Sequence, residues 1–389
     1  MATRSQICLF SHPEMEVVAE KIARTCSADG KHEFVSQESE MLTRHLSRSS
    51  SFKGALEPRS VCFKKSINWG KFNDGFPNLF INDVKEIAGK DVIFLASFHS
   101  PQVIFEQLGI MYAIPRYLAR SFTVILPYFP TGTMERVDKE GQIATAKTLA
   151  AMLSHIPMTS RGPAQLVIFD IHALQERFYF SENVIPRLES AIPLLLREMR
   201  NLGDKNNLAI AFPDDGAHKR FNSFFPGARF IICSKIRDGD QRVVKINEGD
   251  PMGLHVIIVD DLIQTGGTLK ECGRALLKAG ADKISAYVTH AVFPKDSWKS
   301  FTGDSVKFEN FWITDSVPHS TQIAQHSPFK LLSLSDVIAD TLLVNMPKAK
   351  DRGDKANGPY IRKAKDNNNA SELVDDEDLD VSMEEVHLE

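Results

Sequence analysis

The chain has 389 residues, is 43% hydrophobic and 25% charged, and carries a net charge of −4, so it is long enough for two domains with cores of their own. That balance lacks the basic footprint of a nucleic-acid binder, and no apolar stretch is long enough to span a bilayer, so neither nucleic acid nor membrane is an expected partner. Cys8, Cys26, Cys62, Cys233 and Cys272 are scattered and show no zinc spacing; with no signal-peptide core and no peroxisomal signal in His387-Leu388-Glu389, a reducing, cytoplasmic setting is expected.

Strand-like and helical patterns then alternate, which predicts an α/β fold of mainly parallel sheets flanked by helices. A polar stretch at 27–58, containing Ser47-Arg48-Ser49-Ser50-Ser51, predicts an exposed insertion. Phe72-Asn73-Asp74-Gly75-Phe76 is a glycine-containing connection able to touch a base. A strand over 92–96, a helix over 104–119 and a strand over 123–126 lead into a loop over 130–143, where Arg136 is the candidate phosphate contact. A helix over 145–153 and a strand over 165–169 follow, then Asp170-Ile171-His172. Strand alternation sends Asp170 and His172 to one side. They read either as ligands for a divalent metal carrying phosphates or as a hydrogen-bonded pair that fixes the loop.

The stretch 184–199 predicts a helix, and 208–212 a strand that ends in Pro213-Asp214-Asp215-Gly216. Those acids fit either a solvated turn or a ligand site. A strand over 230–233 leads to Ser234-Lys235-Ile236-Arg237, whose two cations suit charge growing during phosphoryl transfer, or simply a basic loop. Residues 256–259 form a continuous apolar run, as in a parallel strand buried on both faces, and the run ends in Asp260 and Asp261. Leu262, Ile263 and Gln264 lead to Thr265, Gly266, Gly267 and Thr268, and a helical pattern over 269–279 closes on Gly280. Carboxylates beside a nest of amides at a helix N-terminus describe a pocket for a phosphorylated ribose. No Gly-Lys-Ser/Thr follows, so this is not a P-loop, and amides and hydroxyls would hold the phosphate. A strand over 285–289 comes next, and from Pro347 the chain is first basic, then acidic from Glu372 to Glu389, which predicts a disordered tail.

On these residues the chain resembles a ribose-phosphate pyrophosphokinase (phosphoribosyl pyrophosphate synthetase) from about residue 67 to about residue 343, with a weaker echo at the start. Phosphoribosyltransferases share the loop Asp260 to Thr268; the specific signal is its combination with Asp170-Ile171-His172-Ala173, Pro213-Asp214-Asp215-Gly216 and Lys235-Ile236-Arg237 in that order. The resemblance implies two similar phosphoribosyltransferase type I-like domains: 1–183, and 184–325 with the ribose loop, then 326–345 returning to the first and 346–389 as tail. It implies transfer of the β,γ-diphosphoryl group of ATP, or of another nucleoside triphosphate, to the 1-hydroxyl of ribose 5-phosphate. Asp260, Asp261 and Gln264 to Thr268 would hold the sugar phosphate, and Lys235 and Arg237 would stabilise the transition state. His172 and Asp214, with Asp170 close by, would bind magnesium. Phe72, Asp74 and Phe76 would meet the base across the subunit boundary of a homo-oligomer, a trimer or hexamer.

Four departures from the common pattern point to the plant-type (class II) subgroup, which accepts several triphosphates and lacks control by phosphate and ADP. Gln264 stands where an acid is usual, Thr133-Met134 where Arg-Gln is expected, Phe76 where an acid is expected, and Glu176-Arg177 differs from the common form. Competing readings are a non-catalytic synthetase-associated regulatory subunit, against which His172, Asp214, Lys235 and the whole ribose loop argue, and a base phosphoribosyltransferase, which would not need the Asp170/His172 site or Lys235 and Arg237.

Overall fold

Apolar runs such as Val92 to Leu95, Leu166 to Phe169 and Val256 to Val259 become strands covered on both faces. The computed structural model describes residues 6–27, 60–202, 207–238, 241–303 and 306–345, all within the unit Met1–Lys348. The expected insertion at 27–58, beyond Ser27, and the expected tail from 346 lie outside the described residues.

The first half contributes β1 (Ile7–Ser11), β2 (Val61–Phe63), the hairpin β3 (Ile67–Lys71) and β4 (Pro77–Ile81), β5 (Asp91–Leu95), β6 (Ser121–Leu126), β7 (Ala164–Phe169) and β8 (Val184–Glu189). Apart from the hairpin these pair in parallel in the order β2-β1-β5-β6-β7-β8. The second half contributes β9 (Leu208–Phe212), β10 (Arg229–Asp238), β11 (Gln241–Glu248), β12 (His255–Ile263), β13 (Lys283–Ala291), β14 (Phe311–Thr314) and β15 (Phe329–Leu332). Their order is β11-β10-β9-β12-β13-β14-β15, parallel except for the β10–β11 pair.

Side-chain alternation along these strands feeds three cores. In β12, Ile257 and Val259 face a central core, where the two sheets and the helix Ser335–Asn345 meet. Val256 and Ile258 face an outer core under the helix Gly267–Lys278. The first half has its own outer core, built by Val92, Phe94 and Ala96 against the helices Pro101–Arg116 and Thr145–Leu153. The central core makes the two halves one body and fixes the crevice between the carboxyl ends of their strands. No helix among the described residues is long and apolar enough to cross a membrane.

Several sequence expectations need correction. The helix expected over 184–199 is the strand β8 followed by the helix Ile192–Asn201. Pro186 would break a helix interior but is tolerated on an edge strand, and β8 pairs only with β7. Because β8 joins the first sheet, the division between the halves falls after Glu189, not at 183. The segment expected to return whole over 326–345 is shared: β15 completes the second sheet, while the helix Ser335–Asn345 joins Val18, Ala19 and Ile22 of the first half in the central core. The strand expected to stop at 233 runs on to Asp238 because β11 folds back against it.

Candidate active site

β12 outruns its neighbour β9. Their pairing ends at Ile258 and Ala211, while β12 stays paired with β13 as far as Ile263 and Ala291. Beyond Ile258 one flank of β12 is therefore open, and a cavity of about 710 Å³ lies over it. Asp260, Asp261 and Gln264 to Thr268 line this cavity, with Asp214 from the turn after β9, Gly216 from the start of the helix Asp215–Phe221 and His172 from the turn after β7. Such a crevice at the carboxyl ends of parallel strands is where α/β folds bind ligands.

The phosphate end of the site is a matter of backbone. Gly266 has φ +80°, and a Cβ there would come within 2.4 Å of the Phe301 ring, so the turn needs glycine. Gly267 opens the helix, and a Cβ there would meet nothing within 4 Å; its surface is open to a ligand. The first-turn amides of a helix have no intrahelical partner, so this end offers donors to an anion.

The acid end holds concentrated negative charge. Asp260 Oδ1 accepts the Asp261 amide at 3.0 Å. Burial, and then the neighbouring Asp261 and Asp214 carboxylates, push the Asp260 carboxyl well above its usual range. Asp261 Oδ2 accepts from His172 Nδ1 at 2.6 Å. Burial opposes ionisation of Asp261, but the hydrogen bond and charge of His172, with Arg220 beyond, outweigh it and hold the carboxyl low. The same hydrogen bond raises the imidazole against the opposing effect of burial. With its Nδ1–H given to a carboxylate, neutral His172 keeps Nε2 as a lone-pair donor. Asp214 also caps the helix Asp215–Phe221, its Oδ1 accepting the Ala217 amide at 3.0 Å.

Asp170 is not where alternation would put it. Its φ of +39° lies in the left-handed region, which turns it away from His172, and it does not line the cavity. Ser190 Oγ donates to its Oδ1 at 2.7 Å, while the Ala191 amide at 2.9 Å and Thr289 Oγ1 at 2.6 Å donate to its Oδ2. Asp170 thus joins β7, the turn after β8 and β13 behind the cavity, so its expected place as a metal ligand is corrected to that of a clamp between the halves. The expected base contacts are also apart from the cavity. Phe72 and Phe76 are exposed beside the β3–β4 turn, where Asp74 Oδ1 accepts the Phe76 amide. Arg136 is exposed and pairs with Asp138 at 3.2 Å. Lys235 and Arg237 lie on β10 opposite Val244 and Arg242; their side chains lie outside the described part.

Arg220 escapes the sequence reading, and Glu176 enters it only as a departure from the common form. The Arg220 side chain is 11% exposed, lines the cavity, and has Nη2 3.7 Å from Asp170 Oδ1. Its signal was spacing: three residues after the buried Ala217, it shares a face of its short helix. Glu176 is fully buried, with Oε1 accepting the Ala173 amide at 2.9 Å. Burial pushes its carboxyl up to about 7.

Residues 7–156 match the N-terminal domain of ribose phosphate pyrophosphokinase, and residues 217–322 match the phosphoribosyl transferase domain. The chain is 55% identical over 286 residues to the ribose-phosphate pyrophosphokinase 4 of Oryza sativa subsp. japonica, covering 72% of this chain and 88% of that one. It is 47% identical over 345 residues to the mitochondrial ribose-phosphate pyrophosphokinase 3 of Spinacia oleracea, covering 87% and 77%. The crystal structure of phosphoribosylpyrophosphate synthetase from Mycobacterium smegmatis superposes with a TM-score of 0.65 at 20% identity, covering 87% of this chain and 97% of that one, a likeness of fold.

Proposed function

The chain belongs to the ribose-phosphate pyrophosphokinase family, and from that premise we propose a division of labour among the residues of the crevice. The enzyme transfers the β,γ-diphosphoryl group of ATP to the 1-hydroxyl of ribose 5-phosphate, giving 5-phosphoribosyl 1-diphosphate and AMP. The observation that supports a particular assignment is the two-ended cavity along β12, with amides at one end and carboxylates at the other. In this reading Thr265, Gly266, Gly267 and Thr268 hold the 5-phosphate, and Asp260, Asp261 and Gln264 hold the sugar hydroxyls. Lys235 and Arg237 stabilise charge on the moving group. Phe72, Asp74 and Phe76 meet the base from a second copy of the chain, Arg136 contacts phosphate, and the active form is a homo-oligomer, a trimer or hexamer.

The carboxylate cluster fits a divalent cation. Among the described residues no three His, Cys, Asp or Glu side chains converge as a ready cage. That suits magnesium, which takes one or two protein ligands and completes its shell with water and substrate phosphate. His172 Nε2 and Asp214 would hold it, with Asp261 orienting the imidazole through Nδ1. Bound there, the ion would neutralise phosphate charge. The protein's remaining work is placement: the loop fixes the sugar so that its 1-hydroxyl faces the β-phosphorus in line.

The test is AMP release from ATP by the purified full-length chain, dependent on ribose 5-phosphate and magnesium and repeated with CTP and UTP. Use of CTP or UTP supports the broad donor range expected from Thr133-Met134 and Phe76, and restriction to ATP and dATP rejects it. Compartment needs its own test, because some relatives carry mitochondrial or chloroplastic names; imaging a tagged full-length chain decides the cytoplasmic reading.

A further inference from the structure

We infer that Arg220 grips the diphosphoryl group at C1 of the sugar, as a binding residue for the transferred group and for the 1-diphosphate of the product. The inference rests on the reading just given and adds a residue to it. Arg220 Nη1 is buried and has no hydrogen-bond partner among the described residues. A buried donor left unpaired costs about 1–3 kcal/mol, so an orphaned guanidinium nitrogen inside a binding cavity points to an acceptor that arrives with the ligand.

Its neighbours do not supply that acceptor. Asp170 is 3.7 Å from Nη2, beyond hydrogen-bond range, and already accepts from Ser190, Ala191 and Thr289. Asp261 accepts from His172. These carboxylates balance the charge of Arg220 without saturating its donors. The Phe221 ring, 5.0 Å from the guanidinium carbon, supports the flat group from the side. The other cation of the cavity among the described residues, Lys219, is mostly exposed and pairs with Asp215 at 2.5 Å.

Position selects which anion Arg220 meets. The sugar-phosphate loop runs from the acids at Asp260 to the amides at Thr268, and the 5-phosphate occupies the amide end. Arg220 stands beside Asp261 and Asp170 at the acid end, on the side of the hydroxyls. The anion that reaches that end during the reaction is the diphosphoryl group. A planar fork of donors fits its oxygens better than a single ammonium does.

The full-length protein is titrated calorimetrically, in the presence of magnesium, with ribose 5-phosphate and separately with 5-phosphoribosyl 1-diphosphate. Arg220→Gln is expected to bind ribose 5-phosphate within about twofold of the unsubstituted chain and the 1-diphosphate about tenfold or more weakly, with Arg220→Lys in between. Equal weakening of both ligands would make Arg220 a strut between the halves, and unchanged affinity for the 1-diphosphate would make it a bystander; either result overturns the inference. If the glutamine variant does not fold, the lysine variant carries the same comparison, a selective loss for the 1-diphosphate supporting the inference and an equal or absent loss overturning it. Failure of the unsubstituted chain to bind either ligand would overturn the underlying reading, and this inference with it, and differs visibly from a failure confined to the variants.

Discussion

Two strand-turn-helix units in this molecule share a plan and differ in what fills the turn. In the first half, β5 leads through Ser97, Phe98, His99 and Ser100 to the helix Pro101–Arg116. In the second, β12 leads through Gln264, Thr265 and Gly266 to the helix Gly267–Lys278. The first turn is closed by its own side chains. Gln107 Oε1 accepts the Ser97 amide at 2.8 Å, Gln107 Nε2 donates to Ser97 and Val103 carbonyls at 2.8 Å, and Ser97 Oγ pairs with His99 Nδ1. Pro101 then removes an amide from the helix start. The second turn has Gly266 directly before its helix and Gly267 opening it, where the first has Ser100 and Pro101, and its strand carries the carboxylates Asp260 and Asp261 near its end. The same strand-turn-helix plan thus yields a self-satisfied corner in one half, entered through an extended Ser100, and a ligand cradle in the other, entered through a left-handed Gly266.

The largest effect that would sharpen this contrast lies in the second half. Lys235→Ala is expected to lower turnover about a hundredfold or more while changing ribose 5-phosphate affinity little. Steady-state rates alongside calorimetric binding check it, and near-normal turnover removes Lys235 from the chemistry. Within the cradle, the two glycines should separate by mechanism. Gly266→Ala meets both a left-handed φ and the Phe301 ring, and is expected to destabilise the fold by about 2–4 kcal/mol. Gly267→Ala has room in the protein, so its fold should survive while KM for ribose 5-phosphate rises about tenfold, since the methyl occupies ligand space. Urea unfolding and KM measured on both variants would break the assignment if the two behave alike.

The first-half corner predicts the reverse pattern. Gln107 is fully buried and makes three hydrogen bonds to the backbone. Gln107→Ala is expected to lose about 2–3 kcal/mol of stability through unpaired backbone groups, with kcat unchanged. A loss of kcat at full stability would show that this corner takes part in catalysis after all.

The cradle was legible in the sequence because its signals are local: an unbroken β-branched run, paired acids, paired glycines and a helical period. What escaped was set by distant neighbours. Asp170 follows a strand whose alternation is valid to Phe169, but contacts from Ser190 and Thr289 hold it in a left-handed conformation no pattern announces. Strand β8 was hidden because Pro186 and Arg187 spoil the apolar run, and only its edge position makes them acceptable. Arg220 follows His218 and Lys219 at a basic helix end, and only the fold sets it against Asp170 of the other half.

The remaining predicted effect concerns Glu176, which lies beside Gly132 and His172 in the first half. Burial holds its carboxyl at about 7 against an ordinary 4.5, and its Oε2 has no hydrogen-bond partner among the described residues. A carboxyl whose folded value exceeds its unfolded one keeps its proton in the folded chain after the unfolded chain has lost it. Stability therefore falls as pH rises from about 4.5 to about 7 and is level on either side of that window. The full loss across that window is about 3 kcal/mol, and Glu176→Gln, which stays neutral, should abolish it. Urea unfolding at pH 5 and pH 8 should find the variant gaining on the unsubstituted chain by that amount at the higher pH. An equal difference at both values would mean that Glu176 ionises as freely in the fold as outside it, and that its surroundings are wetter than their packing shows.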